Sequence, residues 1–194
     1  MNKILIILLI FVLSLPAAQG VGESYPHKKP FSAIELLTGF SSGWLKEKGH
    51  YQLTPILVAF DFDLKPLLQK INLTPKSAVQ FQLEPFLSYA YNPNSNIETG
   101  ASFLLKIGIL PETSRLQTYF KGGVGLVYMT LHTREQSTQF NFSEQAGVGI
   151  EYLFCKNTAF IIEGRFRHMS NSSIKRPNHG INTYFILTGI AYRF

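Results

Sequence analysis

His168 and Ser170 stand two residues apart in the stretch Arg165-Phe-Arg-His-Met-Ser-Asn-Ser-Ser-Ile-Lys-Arg-Pro-Asn-His-Gly-Ile-Asn182, just before a polar loop that contains Pro177 and Gly180. If the preceding segment is a β-strand, both side chains leave the same face, because strand side chains alternate with period 2. Their Cβ atoms are then roughly 6–7 Å apart, close enough for an imidazole and a hydroxyl to bend into a hydrogen bond. A histidine within reach of a serine is the minimum set for an activated oxygen nucleophile. What such a pair can act on depends on where the strand sits.

The chain ends speak to location. Met1-Asn-Lys3 is a short positive segment, and Ile4 to Leu15 is an apolar run. That run is too short for a helical bilayer span, which takes about 20 residues. Ala18-Gln-Gly20 is a small-x-small cleavage site. Residues 1–20 therefore read as an export signal, with the mature chain starting near Val21 and 21–194 forming one domain. Cys155 is the only cysteine, which excludes an intrachain disulfide. A formal charge of +6 suits anionic surfaces, such as phosphorylated glycolipid headgroups. No block of basic residues interleaved with aromatics points to nucleic acid.

Alternation separated by turn signals predicts eight strands, near 31–42, 50–64, 77–91, 98–110, 115–131, 138–153, 157–170 and 181–194. In the second, Ile56, Val58, Phe60, Phe62 and Leu64 oppose Asp61 and Asp63; in the sixth, Phe140, Phe142, Ala146, Val148, Ile150 and Tyr152 oppose Asn141, Ser143, Gln145 and Glu151. Gly122, Gly123 and Gly125 suit close packing or curvature in the fifth. A soluble sandwich or lipocalin-like barrel would turn the apolar face inward, whereas a membrane barrel turns it to lipid. The long segments, the aromatics towards strand ends, the even count of eight and the terminal Phe194 favour an eight-stranded antiparallel outer-membrane β-barrel. With both termini in the periplasm, the connections 92–96, 132–138 and 171–180 face outside. The stretch 65–76 is long for an inner turn, and Leu67, Leu68 and Ile71 predict a short amphipathic helix there.

In the seventh strand, Phe160, Ile162, Gly164, Phe166, His168 and Ser170 share one face, opposite Glu163, Arg165 and Arg167. The apolar set must face lipid, so the charged set fills the lumen, where Asp61 and Asp63 are expected to balance Arg165 and Arg167. His168 and Ser170 then continue the lipid-facing row at its outer end. In the eighth strand, that row runs Phe194, Tyr192, Ile190, Thr188, Ile186, Tyr184, Asn182. A register with His168 opposite Asn182 uses both strands almost fully and gathers His168, Ser170 and Asn182 near the outer headgroup level. Polar groups facing lipid cost energy and are rarely there without purpose.

The C-terminal residues 165–194 resemble the lipid A 3-O-deacylase family, the PagL-type outer-membrane acyloxyacyl hydrolases. The shared pattern is Arg165-Phe166-Arg167-His168-Met169-Ser170-Asn171, then Pro177-Asn178-His179-Gly180, then a strand ending at Phe194. Over the rest of the chain the likeness is only length, leader and strand count. The resemblance implies removal of the 3-position acyl chain of lipid A by a serine-hydrolase mechanism. By position, Ser170 would be the nucleophile, His168 its general base, Asn178 an oxyanion donor and Asn171 the organiser of the loop. The residue that orients the histidine is a Glu in well-known members and falls here on Asn182. An Asn can fix the tautomer but cannot stabilise an imidazolium by charge. Ser173 stands where the family often has Gly. Lys175 and Arg176 would pair with lipid A phosphates.

Three classes remain open: a lipid A esterase; a weak or inactive member of that family, on account of Asn182; and a structural or surface-binding barrel. The expected partners are lipopolysaccharide and outer-membrane lipids, and the sequence leaves a homodimer open. No cofactor is expected. His27, His50, His132 and His179 lack ligand spacing, so no metal site is expected either.

Overall fold

Residues 30–133 and 135–194 are described by a computed structural model of the chain. The leader expected over 1–20 lies outside the described residues. Eight antiparallel strands follow one another: β1 (Phe31–Leu45), β2 (Gly49–Asp63), β3 (Ser77–Asn92), β4 (Asn96–Pro111), β5 (Leu116–Met129), β6 (Phe140–Leu153), β7 (Thr158–Ser170) and β8 (Ile181–Arg193). Each pairs with its chain neighbours, and β8 pairs with β1, so the sheet closes. Closure leaves no edge with unpaired backbone groups, as a strand in lipid requires. The terminal Phe194 helps to seal the seam: its N–H donates to the Ser32 carbonyl, and its ring lies 4.9 Å from that of Phe31.

The strands run 13 to 16 residues, enough to cross a hydrocarbon core that takes about 9–11 tilted residues. Apolar side chains line the outside. Leu36, Ile56, Leu87, Leu105, Val124, Val148 and Ile186 are all exposed, Ile186 to 67%. In water such a surface would aggregate; against lipid it is the stable face. Tyr89, Tyr91, Tyr128 and Tyr184 sit towards the end that carries the 171–180 connection.

Charged groups pack the lumen. Arg165 is forked between Glu84, at 2.5 and 2.8 Å, and Glu163, at 2.6 Å. Lys121 bonds Glu163 at 2.8 Å, and Lys106 pairs with Glu35 and Asp61. Arg167 pairs with Glu98 at 2.8 Å. Asp61 and Asp63 therefore do not balance Arg165 and Arg167, as the sequence suggested. They lie at the C-terminal end of β2, several residues along the barrel from the two arginines, and Asp63 accepts from the Lys65 backbone N–H instead. Nor is the filling wholly polar: Leu45, Leu53, Met129, Met169 and Ile181 are fully buried and form an apolar plug towards the end that carries the 171–180 connection. Arg165→Ala would leave Glu84 and Glu163 buried with Lys121 as their one remaining shared cation among the described residues, at a cost of about 3 kcal/mol. A clearly lower urea midpoint, read from the mobility of folded and unfolded barrel on a gel, is the expected result.

Two local expectations change. β1 extends three residues further than predicted and β2 starts one residue earlier, so the two meet in the short turn 46–48, because Trp44 and Leu45 continue the out–in alternation and Gly49 adopts φ +76°. The helix after β2, α1 (Lys65–Gln69), exists, but none of its residues is buried. Pro66 starts it, and five residues are too few to present an apolar stripe to a core. Among the glycines of β5, Gly123 meets the close-packing expectation: a Cβ there would lie 2.1 Å from the Phe103 carbonyl oxygen.

Candidate active site

β7 and β8 pair with His168 opposite Asn182, the register inferred from the alternation. His168 and Ser170 are half-buried on the outer wall, and Asn182 is exposed beside them. His168 Nδ1 lies 2.7 Å from Asn182 Oδ1. An amide oxygen only accepts, so this contact puts the proton on Nδ1 and leaves Nε2 with its lone pair. That tautomer can take a proton from a hydroxyl. The Ser170 hydroxyl is not hydrogen-bonded to the ring among the described residues; it stands one step along the same face. Such contacts commonly tighten only when substrate is bound.

Gly180 holds the ring from the other side. It has φ +75°, and a Cβ on it would fall 2.5 Å from His168 Cε1 and 3.1 Å from Nε2. The imidazole therefore rests on bare backbone, and both the positive φ and the close approach call for glycine.

The loop 171–180 is built around two asparagines. Asn171 is fully buried; its amide donates to the Lys175 carbonyl at 2.8 Å and to Ser137 Oγ at 3.2 Å. Its backbone N–H donates to Asn178 Oδ1 at 3.0 Å. With that oxygen engaged, the Asn178 NH₂ is the group left to donate elsewhere. Ser172 and Ser173 take φ +50° and +63°, the left-handed region that costs a non-glycine residue roughly 1–2 kcal/mol each. Lys175 and Arg176 are exposed at the loop tip, next to Ile174, which is 67% exposed.

A second loop, 130–139, braces the first. Gln136 bridges to Asn178 and donates to the Met169 carbonyl at 3.0 Å. Backbone bonds join Ser137 to Pro177 and His179 to Glu135. The Glu135 carboxylate in turn accepts from the Glu47 N–H at 2.9 Å and from Thr133. Burial works to raise its pKa, but the Thr133 hydroxyl and the N–H groups of Glu47, Glu135 and Lys46 outweigh it and hold it below the ordinary 4.5. The stabilisation that this carboxylate gives is thus complete above that ordinary value and is lost as the pH falls below it.

The structure thus brings His168, Ser170 and Asn182 to one patch of outer wall and joins Asn171 to Asn178. Ser173, Lys175 and Arg176 sit on the adjoining loop, with no hydrogen bond to His168 or Ser170 among the described residues. Gly180, Gln136 and Ser137 were not singled out from the sequence. Gly180 stood inside the recognised motif, but nothing local marks Gln136 or Ser137, which a different hairpin delivers. Glu144 was also passed over. It faces outward in β6, directly opposite His168, and its signal was legible as an acidic residue in the apolar phase of that strand. No group of three or more His, Cys, Asp or Glu able to hold a metal occurs among the described residues.

Comparison with known proteins agrees with this architecture. A crystal structure of the outer-membrane enzyme PagL superposes with a TM-score of 0.61, at 14% identity over 80% of this chain and 97% of that one. That of Neisserial surface protein A (NspA) gives 0.60, at 9% identity over 86% and 98%. At such identities these likenesses concern the fold. No curated protein sequence matches the chain. The family profile described as Lipid A 3-O-deacylase (PagL) matches residues 56–191, a span that begins in β2 and takes in His168, Ser170, the whole 171–180 loop and Asn182. The chain belongs to the lipid A 3-O-deacylase (PagL) family.

Proposed function

We propose that the protein hydrolyses the 3-O-linked acyl ester of lipid A in the outer leaflet of a bacterial outer membrane, through a serine mechanism at His168 and Ser170. The observation that carries this reading is the 2.7 Å His168–Asn182 contact beside Ser170 on a lipid-facing wall. A soluble substrate has no access to that wall, whereas an ester at the headgroup boundary meets it directly. Below the histidine, a notch of about 540 Å³ is lined by Phe120, Ala146, Val148, Gly164, Phe166 and Tyr184, with open space over Gly164. Its mostly apolar lining suits a hydrocarbon chain.

Ser170 Oγ attacks the acyl carbonyl carbon as Nε2 of His168 takes its proton. The developing oxyanion accepts from the Asn178 NH₂ and from loop N–H groups. The Asn171 N–H is not among them, since Asn178 already holds it. Collapse breaks the ester C–O bond, and the imidazolium returns the proton to the sugar oxygen. Water, deprotonated by His168, then attacks the acyl-serine; the acyl C–Oγ bond breaks, the imidazolium returns its proton to Ser170 Oγ, and the fatty acid leaves. Asn171 fixes the loop that aims Asn178, and the backbone around Ser173 shapes the same turn. Lys175 and Arg176 meet the lipid A phosphates.

A second reading is a weak or inactive family member, which the neutral Asn182 favours. Lipid A extracted from a Gram-negative host expressing the wild type or Ser170→Ala separates the two. Loss of one hydroxyacyl mass is expected in the wild type alone, with the variant below about a thousandth of its rate. An unchanged lipid A spectrum at confirmed outer-membrane levels would overturn the enzymatic reading.

A further inference from the structure

Glu144 is the one residue among Asp, Glu, Lys and Arg that faces outward from the eight strands, among the described residues. A carboxylate on a lipid-facing wall is costly, less so towards the interface. Among the described residues it has no hydrogen-bond or ion-pair partner to offset that cost. Its two neighbours across the ladder are Val124 on β5 and His168 on β7. One row of the outer wall therefore reads Val124, Glu144, His168, Asn182. Directly opposite residues have Cβ atoms about 4.5–5.5 Å apart, so the carboxylate lies within one side-chain length of the imidazole.

We propose that Glu144 supplies the negative charge that Asn182 lacks, so that the work of a triad acid is divided between two residues. Asn182 orients the ring through Nδ1. Glu144, on the opposite side of β7, stabilises the imidazolium that forms when His168 takes the Ser170 proton. It acts through space, because Nδ1 is occupied and Nε2 must stay free for the hydroxyl. The surroundings give that charge reach: Val124, Phe142 and Ala146 flank Glu144, and lipid in place of water weakens screening. The other charged or titratable groups near the ring, Lys175, Arg176 and His179, lie on the exposed loop above it. Glu144 is thus a positioning residue for charge rather than a group that touches substrate. The inference rests on the proposed hydrolase function.

The test is fatty-acid release from lipid A in mixed micelles by wild type, Glu144→Gln, Glu144→Asp, Asn182→Glu and the Glu144→Gln/Asn182→Glu double variant, with folding checked on gels. Glu144→Gln should lower kcat roughly tenfold to a hundredfold with KM almost unchanged. Glu144→Asp should recover most of the rate. In the Asn182→Glu background, the same Glu144→Gln change should cost about twofold or less, because a carboxylate already faces the ring. A full rate in Glu144→Gln, or an equal loss in both backgrounds, overturns the proposal and leaves the hydrolase function standing. Inactive wild type overturns the function itself, and the His168 imidazole titration by ¹⁵N NMR then decides on Glu144. A midpoint that differs between wild type and Glu144→Gln supports the coupling, and an identical midpoint overturns it.

Discussion

Gly180→Ala is expected to lower lipid A deacylation about a hundredfold or more while the barrel still folds. The new methyl group would start 2.5 Å from His168 Cε1, far inside contact distance. The backbone cannot relieve this easily, since φ +75° already disfavours a side chain and His179 is tied to Glu135. The ring must move, and the 2.7 Å contact with Asn182 breaks with it. Misplacing a catalytic base by an ångström can cost about 10² in rate. The strand ladders lie outside the loop, so the gel mobility of the folded barrel should match that of the wild type. A rate close to the wild-type rate would mean that the imidazole does not work from the position seen here.

Position 182 gives the second large effect, with opposite signs for two substitutions. Asn182→Leu removes the only acceptor on Nδ1 among the described residues and frees the ring to adopt the wrong tautomer, so a loss of about 10³-fold or more is expected. Asn182→Glu keeps an acceptor at the same place and adds charge, so the rate should rise, by roughly tenfold. The gain is smaller than the loss because Asn182 already fixes the tautomer. Steady-state release of fatty acid from purified lipid A measures both. Equal rates for asparagine, leucine and glutamate would show that residue 182 neither orients nor charges the histidine.

Much of this was legible in the sequence because strand alternation is a local signal. Phe194, Tyr192 and Ile190 fixed the phase of the last strand, and that phase carried Asn182 to the wall and opposite His168. The turn after β1 is shorter than the sequence predicts, because Trp44 and Leu45 continue the alternation past Gly43. The salt-bridge partners of Arg165 were not legible: they come from β3 and from its own strand, and which acids share a height depends on the stagger of the whole barrel. The bracing of the 171–180 loop by Gln136 and Ser137 was hidden for a similar reason, since two hairpins far apart in sequence meet only once the barrel closes. Glu144 is legible as an acidic residue in the apolar phase of β6, but the His168 it faces is set by the pairing of β6 with β7.

The central claim is that Ser170 is an activated nucleophile facing lipid, and covalent trapping tests it most directly. Purified protein in micelles would be treated with a phosphonate ester bearing a long acyl-like chain and with a short water-soluble analogue, and the adduct located by peptide mass. A single adduct on Ser170, formed faster by the long-chain reagent and abolished in His168→Ala, is the predicted result. No adduct, or an adduct elsewhere that is indifferent to His168, would contradict it.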